Sequence, residues 1–303
     1  MDRTNIFATL FDPQAEIPRI PEEVVNRWLA AGRTNAADLL AIRQVSGERK
    51  FLLQALTNFP RDPRVLMAAS ALPDDPEATR ARLDQLKHSA PDNALADYLS
   101  ARDHLTHGRT EAALADLAAA AGKAGFDDYT LDGSLSAEEL YLAAGFSPGE
   151  AKAFGTANTL YPHLNPLKDM ARQLSELEGQ YVAAGDVESA ARLAEYGVQL
   201  ARKLTEAGGG KPLISDLTAL SIVGLTLKPL PQDQRFDFLQ GTPANILEQQ
   251  RQTRAALTEN SNYFSDFMRA AKESEVVAYF DRLKLYGEAE ALRWMRYRMT
   301  GNP

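Results

Sequence analysis

The sequence contains no cysteine. This absence excludes thiol nucleophiles, cysteine-ligated zinc, iron–sulfur clusters and disulfide bonds. It leaves the cellular compartment unknown, because a cysteine-free chain is compatible with reducing and with oxidising surroundings.

An excess of positive charge is also missing. The 303 residues carry 33 Lys and Arg against 41 Asp and Glu, a formal net charge of −8. Proteins that bind nucleic acid usually present a basic face to the phosphates. The charge balance therefore argues against a nucleic-acid partner.

Long apolar runs are scarce as well. The longest, LISDLTALSIVGLTLKPL over residues 213–230, contains Asp216, Lys228 and four hydroxyl side chains, so it predicts a buried core helix and no transmembrane segment. Residues 1–20 lack the apolar run of a signal peptide. We expect a soluble protein, cytoplasmic by default, although a removed leader or anchor stays compatible with the sequence.

Strand signals are nearly absent, whereas helix boundaries are dense. A capping residue followed by proline is a strong helix start, because proline loses no hydrogen bond in the first turn. Glycines end the periodic segments, and the chain reads as about fourteen short helices with a longer loop near 122–135 and a flexible linker at 208–210. The starts are Asp62-Pro63, Asp75-Pro76, Ser147-Pro148, Asn165-Pro166 and Thr242-Pro243, with capping boxes at Ser136/Glu139 and Ser147/Glu150; the stops are Gly32, Gly47, Gly108, Gly145, Gly185 and Gly287.

Two segments share one pattern of large and small residues. In 174–197, LSELEGQYVAAGDVESAARLAEYG, a Leu and a Tyr precede a turn glycine, and small residues follow at helical spacing. Residues 94–120 place Ala101, Gly108, Ala113, Leu117 and Ala120 in the same way, and weaker matches occur at 51–60 and 141–154. Glu178 and Asp97 depart from the pattern, which has a small residue at the first position and a large one at the second.

This pattern resembles the tetratricopeptide-repeat superfamily of helical hairpins. The resemblance implies an all-α fold, a right-handed α-solenoid of tetratricopeptide-like hairpins with a divergent helical C-terminal region. We predict an extended or disordered arm at 1–20, repeats over 21–207, and a helical region at 208–303 that caps or extends the solenoid.

Candidate catalytic and metal-binding residues are few. His104 and His107 share one helix face at a metal-site spacing, but the local sequence suggests no third ligand. No Gly-x-Ser-x-Gly motif is present, and Gly208–Lys211 lacks the first glycine and the Ser/Thr of a phosphate-binding loop. We therefore expect no catalytic residue, no metal and no cofactor.

The resemblance implies a concave groove lined by the first helix of each hairpin, which binds a peptide or a partner helix. Its register assigns Tyr98, Leu99 and Arg102 in one repeat, and Arg172, Ser175 and Glu176 in another.

A second patch is possible at the aromatic-rich C-terminus. Arg293, Trp294 and Tyr297 are residue types that dominate binding hot spots, although a terminal helix that closes the array would contain them too.

Three functions follow from these patterns. The first is a non-catalytic scaffold for an unidentified protein or peptide. The second is an enzyme or small-ligand site formed by the region after residue 208. The third is a regulatory protein that acts on nucleic acid through residues 263–303.

Overall fold

A computed structural model describes residues 17–70, 72, 75–206 and 210–301 of the chain. These residues form helices and connecting segments, and none of them belongs to a strand. The all-α expectation is therefore confirmed. Most of the N-terminal arm, together with Gly208 and Gly209 of the expected linker, lies outside the described residues. The helices are α1 Glu22–Ala30, α2 Ala36–Ser46, α3 Arg49–Asn58, α4 Pro63–Ala69, α5 Pro76–Ser89, α6 Ala94–Thr106, α7 Thr110–Gly122, α8 Thr130–Ala143, α9 Pro148–Ala157, α10 Leu164–Ala183, α11 Val187–Glu206, α12 Leu213–Leu227, α13 Pro243–Ser261, α14 Phe264–Ala270, α15 Glu273–Tyr286 and α16 Glu288–Thr300.

Most of the predicted helix boundaries are where the sequence places them. Four of the five cap–proline pairs start a helix, and the predicted glycines follow helix ends with a positive φ. The prediction at Asn165 is wrong, because α10 begins at Leu164 and Pro166 lies within the first turn, where its missing N–H costs nothing. The capping box at Ser136 is wrong too, because α8 begins six residues earlier, at Thr130.

The apolar segment that the sequence assigned to a core helix is α12. It packs against α10 and α11. None of the helices in the described ranges combines the length and the apolarity that a membrane crossing requires. Residues 228–242, which follow α12, are not helical, and the sequence did not predict this long connection.

Helical hairpins are the packing unit, but they do not stack in chain order. The hairpin α10–α11 packs directly on α6–α7, and these helices share a core with α5 and α12. The hairpin α8–α9 lies between them in sequence, yet it packs on α2 on one side and on α15 on the other. A continuous solenoid is therefore not confirmed.

An ion cluster fastens the C-terminal hairpin to α8–α9. Glu138 of α8 accepts hydrogen bonds from Lys152 of α9 and from Lys284 of α15, and Lys152 also lies 2.7 Å from Asp281. The Glu138 side chain is only 13% exposed. Its two lysine partners would be left without their central carboxylate if it were neutralised.

The two departures from the repeat pattern are buried acids with different surroundings. Asp97 of α6 is paired with Lys87 and with Lys123. Glu178 of α10 is 0% exposed, and neither carboxylate oxygen has a hydrogen-bond partner among the described residues. Burial raises the pKa of Glu178 to about 9.

We predict that Glu138→Gln lowers the free energy of unfolding by about 2 kcal/mol or more, because it leaves the largely buried Lys284 without a counter-charge among the described residues and Lys152 with Asp281 alone. Glu139→Gln is the matched control, since that neighbour is 56% exposed and forms a surface pair with Arg33. The control should cost less than about 1 kcal/mol in the same urea titration. Equal losses would show that the cluster does not hold the two hairpins together.

A second prediction concerns Glu178 and pH. Because the folded pKa lies above the ordinary 4.5, the protein gains full stability from this group below about pH 4.5 and loses it as the pH rises towards 9. Glu178→Gln removes this loss, so its unfolding free energy relative to the wild type should increase between about pH 6 and about pH 8.5. Urea unfolding at both pH values measures it, with exposed Glu176→Gln on the same helix as control. A difference that is constant with pH would contradict the prediction.

Candidate functional site

A cleft of about 100 Å³ opens between the N-terminal helices and the start of α8. Helices α2 and α4 form one side, and the first turn of α8 with the segment between α9 and α10 forms the other. Residues from four separate stretches of the chain therefore meet at one site. The lining residues are Ala37, Leu40, Arg43, Gln44, Arg64, Met67, Ala68, Asp128, Tyr129, Thr130, Asp132, Gly133, Ser136, Thr159, Leu160 and Pro162.

Apolar side chains make up much of the lining. Leu40 and Met67 come from α2 and α4, and Leu160 and Pro162 from the opposite side. Met67 is buried, whereas Leu160 is 55% exposed. The lining thus includes both accessible and buried apolar side chains. A concave, largely apolar lining is typical of a binding site.

Two arginines line the cleft, and they differ in their partners. Arg64 is bidentate to Asp62, with Nη2–Oδ2 at 2.6 Å and Nε–Oδ1 at 3.0 Å. The half-buried Arg43 has no side-chain hydrogen bond or ion pair with any described residue. Burial lowers the pKa of Arg43, and no neighbouring carboxylate opposes that effect. Arg43 is therefore a cation without a counter-charge in a largely apolar cleft.

Thr130 and Asp128 hold the wall formed by the first turn of α8. The Thr130 hydroxyl and backbone N–H both donate to Asp128 Oδ1, at 2.6 and 3.0 Å. His163 lies behind this wall, fully buried, with Nε2 at 3.3 Å from Asp128 Oδ2 but not aligned for a hydrogen bond. Burial lowers the pKa of His163 despite the opposing attraction of Asp128. The imidazole is thus neutral at physiological pH and is closed off from solvent.

Tyr129 connects this wall to the core of the molecule. It has φ 59° and is the one non-glycine residue with a positive φ in the ranges that the structure describes. Such a conformation is strained for a large side chain and is concentrated at functional sites. The Tyr129 hydroxyl accepts a 3.2 Å hydrogen bond from Asn93, which stabilises this turn.

The cleft offers binding groups more readily than catalytic ones. The Thr130 hydroxyl is engaged by Asp128, and the Gln44 amide donates to Gly155 O at 3.3 Å. The guanidinium of Arg43 is left with donors to offer. The arrangement can therefore hold an anion next to an apolar surface.

The predicted repeat groove is not an open surface. Tyr98 and Leu99 are 0% and 5% exposed and belong to the core around α6, so their assignment to a groove is wrong. The physical reason is that α6 is buried on all sides from Ala94 to Ala101, because α5, α7 and α10 surround it. Arg102 is half-buried on the same helix.

The second half of the predicted groove lies on α10. Arg172 is exposed and paired with Asp169, and Glu176 is exposed. Ser175 donates to Leu225 O at 2.9 Å, so its hydroxyl binds α12.

The C-terminal patch is divided between core and surface. Trp294 packs edge-on against Phe267, with Arg282 at 4.4 Å above its ring. Arg293 and Tyr297 are exposed, and Arg293 is paired with Glu290. Trp294 is thus partly buried against the C-terminal core, while Arg293 and Tyr297 are on the surface.

Both predicted metal-ligand candidates contact groups of their own region. His107 Nδ1 lies 2.8 Å from Asp103 O, and His104 lies 3.4 Å from Arg80 and 3.6 Å from Asp116. Across the described ranges, no three His, Asp or Glu side chains are grouped as a metal site would require.

The sequence analysis missed Arg43 and Tyr129. A signal for Arg43 was present, because it is the only basic residue in the apolar segment AADLLAIRQVS of α2. No comparable signal marks Tyr129, whose hydroxyl is tied to Asn93, a residue distant in sequence.

Comparison with protein-family models, curated protein sequences and solved structures found no significant match in any of the three. The resemblance to tetratricopeptide repeats therefore stays a prediction, and the functional argument rests on the cleft.

We predict that Arg43→Met raises the free energy of unfolding, by a few tenths to about 1 kcal/mol, because it removes a desolvated charge that has no partner. Arg64→Met is the control from the same cleft and should lower it by a similar amount, since it deprives Asp62 of its bidentate partner. Urea titrations of both variants measure the difference. A destabilised Arg43→Met protein would show that Arg43 has a structural role.

Proposed function

We infer that the protein is a non-catalytic interaction module that receives a short segment of a partner protein in the cleft between α2, α4 and the start of α8. The observation that carries this proposal is the unpaired, half-buried Arg43. Buried charges are normally paired, so a site that keeps one unpaired is prepared for a ligand that supplies the counter-charge.

The rest of the cleft supports a peptide ligand. The apolar lining can accommodate an aliphatic side chain of the ligand. The exposed Leu160 can contact the peptide backbone that carries this side chain. A mixture of apolar contacts and a few oriented polar groups is typical of such sites. The groove proposed from the sequence is thus replaced by a cleft in which α2 and α4, at the N-terminal side of the chain, take part.

Hairpins of the tetratricopeptide type remain our proposal for the building unit. The direct packing of α10–α11 on α6–α7 supports it, since these are the two segments with the best sequence match. The displaced position of α8–α9 supports an interrupted array in place of a continuous solenoid.

A small-ligand site after residue 208 is the second candidate. Lys211 and Ser215 line another cavity together with Asp127. Burial lowers the pKa of Lys211 and raises that of Asp216 nearby. Such shifts are concentrated at functional sites, but structural ion pairs also produce them.

Photo-crosslinking tests the proposal in the native cell. Leu160→p-benzoyl-phenylalanine places a crosslinker at the rim of the cleft, and Leu53→p-benzoyl-phenylalanine places one on exposed α3 as control. We expect a partner that crosslinks to position 160 and not to position 53.

A blocking variant then shows whether the cleft itself is occupied. Ala37→Phe fills the cleft, whereas Ala112→Phe adds the same ring to a partly exposed position on α7. The crosslink at 160 should disappear in the first variant and persist in the second. A crosslink that survives Ala37→Phe, in protein shown to be folded by circular dichroism, would refute binding in the cleft.

A further inference from the structure

We propose that the partner segment is anchored by a glutamate side chain whose carboxylate pairs with Arg43 while an adjacent aliphatic side chain packs on the apolar lining of the cleft. This inference rests on the proposed function, and it adds the chemical identity of the bound group.

Arg43 favours one negative charge on the ligand, and the lining carboxylates Asp128 and Asp132 disfavour a second. Asp62 neutralises Arg64, whereas the hydrogen bonds from Thr130 leave Asp128 with its negative charge. Arg43 is therefore the one lining cation without a partner in the described part of the chain. A carboxylate supplies one charge and matches the planar fork of a guanidinium with two parallel hydrogen bonds. A dianionic phosphate would bring a second charge into the apolar lining without a counter-ion.

The carboxylates of the cleft do not take this place themselves. Asp132 lines the cleft but is exposed, and it forms no ion pair with Arg43. Burial lowers the pKa of Arg43, and no ion pair joins Arg43 to Asp128. The guanidinium of Arg43 therefore keeps its hydrogen-bond donors for an external acid.

The depth of Arg43 selects the kind of carboxylate. Its side chain is half-buried and lies next to the apolar residues Leu40 and Met67. A carboxylate on a methylene stem reaches such a group while the peptide backbone stays at the rim near Leu160. The methylenes then contact apolar side chains, which adds hydrophobic stabilisation.

Three short peptides test the inference by heteronuclear NMR of the full-length protein. Ac-Leu-Glu-Leu-NH2 carries the side-chain carboxylate, and Ac-Leu-Gln-Leu-NH2 is its neutral isostere. Ac-Leu-Gln-Leu-OH carries a carboxylate only at the chain end. The readouts are the Nε–Hε resonance of Arg43 and the backbone amides of the lining residues during titration up to about 10 mM peptide.

The wild type should bind the glutamate peptide on the order of tenfold or more tightly than the glutamine peptide, because a charge-assisted pair is lost in the latter. Arg43→Gln should bring the two affinities together. Arg27→Gln, which changes an exposed arginine on α1, should leave the difference intact.

Each other outcome overturns the inference and leaves the proposed function separately testable. Equal shifts with the glutamate and glutamine peptides would mean that the cleft binds peptides without reading charge. Equal binding of the peptide with a free chain end would assign the carboxylate to a C-terminus. If no peptide shifts the lining amides, the glutamate anchor is wrong, and the crosslinking at position 160 still decides whether the cleft is a docking site.

Discussion

The cleft depends on the way Asn93 ties the start of α6 to the segment before α8. Its side chain caps α6 by accepting from Leu95 N, and it also accepts from Asp127 N and donates to Asp127 O at 2.7 Å. The buried Asn93 side chain thus uses its amide oxygen as an acceptor and its amide nitrogen as a donor at the same time, which few other side chains can do. Next to it, Ala94 N donates to Gly125 O, and a Cβ at Gly125 would lie 2.7 Å from Asp92 O. This junction fixes where the chain turns into α8, and therefore where the wall of the cleft stands.

A cleft in a close-packed protein persists only if its walls are held from behind. The wall at α8 is held by Asn93 and by Asp128, and α8 itself is fastened to α15 through Glu138. The opposite side is held by the periodicity of α2, whose Leu39 and Ile42 are fully buried. Arg43 follows Ile42 directly in the helix. Because the side of α2 that carries Leu39 and Ile42 is buried in the core, Arg43 lies beside that core and lines the cleft.

The sequence predicted most helix boundaries, but it did not predict which helical hairpins pack against each other. Ser147 and Thr242 start helices because their side chains accept from first-turn N–H groups, a contact within four residues. Tyr98 was assigned to a groove because the repeat register assumes that each hairpin stacks on the next. Whether α10 packs on α6 or on α8 depends on the fit of complete helix faces, and this fit is not expressed in any short motif. For the same reason the cleft, which joins residues 37–68 with 128–162, had no signature in the sequence.

An ionisable residue without a partner on a packed helix indicates a functional site only if a ligand can reach it. Glu178 and Arg43 are both ionisable side chains without a partner among the described residues, on helices that are otherwise well packed. Glu178 is 0% exposed. It avoids the desolvation cost of a buried charge by holding a proton, as its raised pKa indicates. A guanidinium cannot escape in this way, because it stays protonated at any physiological pH. Arg43 therefore keeps its charge and lines the cleft in which we propose that an anion binds. That difference in chemistry, rather than the resemblance to a repeat family, is the reason why we propose the cleft as the functional surface of this protein.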